Sequence, residues 1–174
     1  ALVPYLWSNA IRYQRNRPDM TAASSIREGN AGDYDLHLAL HSNAAPEGHY
    51  GEERGIIAFY YPGSQQGQRA AELIVEELRQ IYPLPNKVTT RETTSLGEVR
   101  QPRAPAVLVE IGYHDNYADA VWIEGHVEAI AQQLARALTR YFDLPFIYPS
   151  TPVTGTVAVS YGTLNLRDYP YINV

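Results

Sequence analysis

The stretch AVLVEIG, Ala106–Gly112, decides the fold. It is a nearly unbroken apolar run, the mark of a central strand covered on both faces. One residue breaks it. Glu110 sets a carboxylate inside that strand, and burying its charge without a partner is costly, so it has either a partner or a function.

Working outward, two more strands stand out. LHLALH, Leu36–His41, is apolar enough to be buried, and GIIAFYY, Gly55–Tyr61, runs into the turn signal Pro62-Gly63. Helical patterns alternate with these strands. Ser64 can cap a helix whose residues Ala70, Leu73, Ile74, Leu78 and Ile81 form one apolar stripe. Asn116, with Asp119 three residues on, resembles a helix N-terminus, and Gly125 is placed to interrupt that helix. Beyond it Val127, Ile130, Ala131, Leu134, Leu138 and Tyr141 share a face. Asp19 is read as the cap of a helix over about Met20–Glu28, stopped by Gly29 and Asn30. The segment from Lys87 to Pro105 reads as loop with one helical turn. Strands alternating with helices predict an α/β fold: a central, mostly parallel or mixed sheet covered by helices on both faces, with a short β-type C-terminal extension.

The two ends differ from this middle. Leu2, Val3, Leu6 and Trp7 suit the last turns of a helix, and Ile11 and Tyr13 suit a short strand. A helix with no visible beginning implies sequence upstream. Near the other end, Pro145, Pro149 and Pro152 mark residues 144–155 as a semi-rigid linker. After it, 156–174 alternates as a strand, turns at Tyr161-Gly162 and alternates again, too short to form a core alone.

Composition limits the function. The 174 residues carry a formal net charge of −5, which argues against a nucleic-acid binder relying on bulk positive charge. Absence of cysteine removes disulfides, thiolate zinc sites and a cysteine nucleophile. No apolar run approaches the length of a transmembrane segment. Fourteen tyrosines supply flat amphipathic surface suited to carbohydrate or peptide, and equally to a core.

His41 ends one strand and Glu110 lies in another. Strand ends of an α/β sheet are where functional groups meet a crevice. An imidazole that binds a metal and a carboxylate that takes a proton from water would suit a metal hydrolase. The same two residues also suit an ordinary hydrogen-bonded histidine and a paired acid. His37 shares strand parity with His41 and reads as a packed residue. His49 and His114 fall in loops near the cleft, and His126 reads as exposed.

The words around these residues go further. YDLHLALHSNAAP, then GIIAFYYPGS, then LGEVRQPRAPAVLVEIGYHDN resembles the zinc-dependent N-acetylmuramoyl-L-alanine amidases of bacterial cell-wall turnover, over roughly residues 1–143. The resemblance implies that 1–143 is an amidase catalytic domain lacking its N-terminal strand and part of its first helix. It implies His41 as a zinc ligand, with the other ligands upstream of Ala1, and Glu110 as the catalytic glutamate. Arg100 matches a family arginine that holds substrate or positions Glu110. Asn43 and Asn116 match family asparagines at loop turns; Asn43 and His114 are also taken as substrate contacts. The resemblance further implies one zinc ion, peptidoglycan as substrate, and a bacterial extracellular or wall-associated location. The tail, through Leu-Asn-Leu-Arg at 164–167, resembles the start of a bacterial SH3-like cell-wall-binding repeat. The alternatives are a non-catalytic wall-binding or regulatory relative without a complete zinc site, and a carboxypeptidase-like zinc enzyme using the same histidine and glutamate.

Overall fold

The computed structural model describes residues 1–150; the proposed SH3-like repeat and the end of the linker lie outside the described residues. Four strands form one mixed sheet: β1 (His37–Asn43), β2 (Ile56–Tyr60), β3 (Val88–Glu92) and β4 (Ala106–Tyr113), in the order β1-β4-β2-β3. Strand β4 runs parallel to β1 and antiparallel to β2, while β2 and β3 are parallel. The fold is therefore α/β with a mixed sheet, and AVLVEIG lies in one of its two inner strands.

Alternation along β4 explains why that run is apolar throughout. Val107 and Val109 face one layer, with Ile56, Ala58 and Tyr60 of β2. That layer is completed by α3 (Gln65–Arg79), α5 (Tyr117–Gly125) and α6 (Val127–Tyr141), through Ile74, Leu78, Trp122, Ile130 and Leu134. Each large apolar side chain fully buried there contributes about 1.5–3 kcal/mol. Leu108 faces the opposite layer. There it packs with Ala39 of β1 and with Val99 of α4 (Gly97–Arg100), a single helical turn. Glu110 shares parity with Leu108 and so belongs to the α4 face.

Helix α1 (Leu2–Ser8) and α2 (Ala22–Ala31) complete the described helices. Several sequence expectations hold at this level. Ser64 caps α3 by accepting from the Gly67 amide, Asn116 caps α5, and the helix is interrupted at His126, between Gly125 and Val127.

Three expectations are corrected. Ile11–Tyr13 forms no strand. Ala10 takes a positive φ of 56°, the Ile11 amide returns to the Leu6 carbonyl, and the chain then runs irregularly. Side chains hold it there instead of a ladder, with Gln14 and Arg17 both bonded to Glu28. Helix α2 starts at Ala22, because Thr21 and Ser24 form a reciprocal capping box and Asp19 stays outside. The segment after Lys87 contains β3, whose residues Val-Thr-Thr-Arg-Glu bury only Val88 fully. It is an edge strand, and its polar outer row hides the apolar signal.

The proline-rich segment is docked at its start. Asn9 donates from Nδ2 to the Ile147 carbonyl at 2.8 Å and accepts from the Ile147 amide at 2.6 Å. The Arg136 guanidinium lies 4.2 Å from the Phe146 ring centroid. Residues 144–148 thereby fasten α1 to α6.

Candidate active site

The site is built on two neighbouring strands. His41 and Glu110 are direct cross-strand partners in the parallel β1–β4 pairing, and Ile57 of β2 is the partner of Glu110 on its other side. Residues in register share a face, so Glu110 stands between an imidazole and an aliphatic side chain. Its Oε2 is buried and has no hydrogen-bond partner among the described residues. Burial pushes the Glu110 pKa up, Glu98 adds to the rise, and His41 and His114 oppose it without cancelling it.

His41 is partly open, with 43% of its side chain exposed. Its Nε2 lies 2.9 Å from Oε2 of Glu98, a side chain only 13% exposed. Helix α4 puts Glu98 there. Burial of Val99 against Leu108 and Ala39 holds the turn on the sheet. Glu98 lies inside the quoted motif, yet sequence reasoning passed over it for Arg100. Arg100 is exposed at the end of α4, and among the described residues it makes no hydrogen bond or ion pair with Glu110.

The loop residues divide by role. The β1–β4 register shifts between His41 and Asn43, and there the His114 amide donates to the Asn43 carbonyl at 2.9 Å. The His114 ring reaches back through Nδ1, 3.1 Å from Ser42 Oγ and 3.2 Å from the Ser42 carbonyl. His114 is therefore exposed, tethered and close enough to Glu110 to influence its charge. The Asn43 side chain accepts from the Ala44 amide and shapes its own turn. His37 lies on the same face; its Nε2 is buried without a partner among the described residues, and burial pulls its pKa down against the pull of Glu98. His49 pairs with Glu52 in the loop, and His126 bonds to the Trp122 carbonyl between α5 and α6.

A second acidic centre braces the site and was not foreseen. Asp119 is fully buried and accepts from Arg54 Nε at 2.9 Å, Tyr82 Oη at 2.5 Å, the Gly55 amide at 3.1 Å and the Tyr113 amide at 3.0 Å. Burial alone would raise its pKa; those hydrogen bonds outweigh it and hold the carboxyl below its ordinary value. Tyr82 answers in the opposite direction, pushed above the ordinary phenol range by burial and by Asp119. Asp115 accepts from the Ala45 and Gly51 amides, and Asn116 Nδ2 donates to the Gly51 carbonyl. Together these bonds pin loop 44–55 against the end of β4. Gly112 belongs to the same arrangement. Its φ is 71°, and a Cβ there would sit 3.1 Å from Ile123 and 3.3 Å from Asp119 Oδ2.

The donor chemistry suits zinc in kind. His41 supplies a nitrogen, Glu98 an oxygen at contact distance, and Glu110 an orphaned carboxylate oxygen close by. In number they fall short. Among the described residues no group of three or more acidic or histidine side chains is gathered tightly enough to hold an ion, whereas zinc sites take three or four protein ligands.

Fold and site together define an α/β domain with an imidazole and a carboxylate paired across two adjacent strands. The chain belongs to the N-acetylmuramoyl-L-alanine amidase family, whose model matches residues 9–140. Solved structures share the fold. One is the catalytic domain of the CD27L endolysin targeting Clostridia difficile, 24% identical with a TM-score of 0.59, the match covering 68% of this chain and 62% of that one. A second is the N-acetylmuramoyl-L-alanine amidase AmiC2 of Nostoc punctiforme, at 19% identity and TM-score 0.61, covering 70% and 65%. A third is the corresponding amidase from Clostridium difficile 630, at 17% and 0.61, covering 71% and 66%. The chain thus spans slightly under two thirds of the length of each. No curated protein matches it. No helix among the described residues is long and apolar enough to cross a membrane.

Proposed function

We propose that this chain carries the catalytic glutamate of a peptidoglycan hydrolase that cleaves the amide between N-acetylmuramic acid and L-alanine. The observation that carries the reading is Glu110, a carboxylate directly across from His41 with a buried oxygen that has no partner among the described residues. Family membership supplies the substrate class. Burial raises the Glu110 pKa, which suits a group that must take a proton near neutral pH and give it back. In this reading Glu110 takes a proton from the water attacking the lactyl carbonyl and later delivers it to the departing amine of L-alanine. His41 is taken as one zinc ligand. Zinc bound there would supply Lewis-acid activation of the water and the scissile carbonyl.

The remaining residues take supporting parts. His114, tethered through Ser42, is assigned to substrate contact. Asn43 keeps its turn through the Ala44 amide and presents β1's end to the cleft. Arg100, exposed on α4, is assigned to substrate holding and not to orienting Glu110. An extracellular or wall-associated location in bacteria accords with such a substrate.

Analysis of products from purified peptidoglycan tests the reading. Release of free stem peptides beginning with L-alanine is expected. Shortened stems still attached to glycan would point to the carboxypeptidase-like alternative. Binding without any product would point to a non-catalytic wall-binding relative.

A further inference from the structure

Strand register sets a cation on the same face of the sheet as Glu110. Arg91 of β3 is the cross-strand partner of Phe59 of β2, and Phe59 is in turn the partner of Leu108 of β4. Leu108 shares parity with Glu110, so Arg91 stands on the glutamate's side. Its neighbour Glu92 turns to the opposite side, where Tyr60 Oη donates to it at 3.4 Å. Arg91 is exposed and, among the described residues, makes no ion pair or side-chain hydrogen bond. A charge that merely guards an edge strand can point anywhere into water. This guanidinium is instead laid back over the sheet, 5.9 Å from the Phe59 ring centroid. Its charge also reaches the end of β4. Burial pushes the Tyr113 pKa up and Glu53 adds to the rise, while Arg91 opposes it.

We propose that Arg91 binds a carboxylate of the peptide stem, on the residue that follows L-alanine, and so sets which stems the site prefers. The inference rests on the reading of Glu110 as the proton-transferring group of a peptidoglycan amidase and extends that reading to specificity. Spacing supports it. Arg91 lies two strands across from Glu110 and two residues along, about 10 Å by about 7 Å. Two residues of extended peptide cover about 7 Å. The long side chains of Arg91 and Glu110 close the remainder. Chemistry supports it as well. A guanidinium stays charged at every working pH and offers a planar fork of donors that matches a carboxylate. Charge gives a further reason. An anionic stem approaching this face meets Glu53 and Glu110, with Glu98 beside them, and like charges would repel it. Arg91 supplies the opposite sign on the side of the sheet away from α4.

Two synthetic muropeptides test this, differing only in whether the carboxyl group of the residue after L-alanine is free or amidated. Wild type is expected to cleave the free acid with the higher kcat/KM. Arg91→Met keeps the length of the side chain and removes its charge. It is expected to lose about tenfold in kcat/KM on the free acid, through KM, and less than twofold on the amide, with an unchanged melting temperature. Arg91→Lys should restore part of the preference. Equal losses on both substrates, or wild-type values on both, overturn the proposal. Calorimetric binding of the same pair needs no turnover. A free-acid preference in wild type that vanishes in Arg91→Met is expected, and equal affinities in wild type contradict the assignment. Cleavage of neither muropeptide by wild type would refute the amidase reading instead, and the binding preference would still decide the role of Arg91.

Discussion

Two carboxylates on the two faces of the sheet meet opposite fates. Asp119 is fully buried and has four donors, from Arg54, Tyr82, Gly55 and Tyr113, and its pKa is held down. Glu110 is less deeply placed, has an oxygen with no donor among the described residues, and its pKa is pushed up. Fold stability asks that every buried acid resemble Asp119. An acid that resembles Glu110 keeps bonding capacity for something the fold itself does not contain. The contrast assigns structure to one and chemistry to the other, and it can be broken by experiment.

Asp119→Asn should produce the largest change in stability. It removes the charge from the Arg54 pair and leaves donors mismatched, at a cost of about 3 kcal/mol in denaturant unfolding. The pH dependence has a fixed sign. Because the folded-state pKa of Asp119 lies below its unfolded value near about 3.9, its stabilisation is present above that pH and is lost as pH falls through the folded value. The variant should lack that acid loss, and an unchanged midpoint at neutral pH would remove Asp119 from its bracing role.

Gly112→Ala comes next. Positive φ and the short approach to Asp119 and Ile123 predict a loss of about 2 kcal/mol, visible as a lower melting temperature. A neutral effect would mean that the end of β4 yields easily and does not hold Glu110 in place. The smallest effect has the opposite direction. Glu110→Gln should be more stable than wild type at pH 7, by about 1 kcal/mol, since it removes an ionised carboxylate with an unsatisfied oxygen. A raised folded-state pKa means that protonation favours the fold. The wild type's relative stability is therefore fullest below the unfolded pKa of about 4.3 and fades as pH rises through the folded value. The gap between the two proteins should accordingly close toward pH 4; a gap that widens in acid would contradict the desolvation of Glu110.

Much of this contrast was legible in the sequence on one side only. Glu110 announced itself as a charge inside AVLVEIG, and His41 as the polar end of LHLALH. Both signals are local, because burial of a strand is written in consecutive residues. The Asp119 cage is assembled from Arg54, Gly55, Tyr82 and Tyr113, which come together only when α3, β4 and the loop before β2 are packed. Asp119 itself reads as an ordinary residue of a helix's first turn. Glu98 was hidden for the same reason: it sits on α4 while its partner His41 lies on β1, far away in sequence, and the docking of Val99 brings them into contact. Strand β3 escaped because an edge strand with one buried residue lacks the periodic signal that β2 and β4 carry.

The most direct measurement sets turnover of purified peptidoglycan by Glu110→Gln beside that of the wild type, with zinc content and melting temperature recorded on the same samples. The expected result is hydrolysis reduced by at least about a hundredfold, with zinc content unchanged and stability equal or higher. Wild-type turnover in the variant would contradict the assignment of Glu110 as the proton-transferring group.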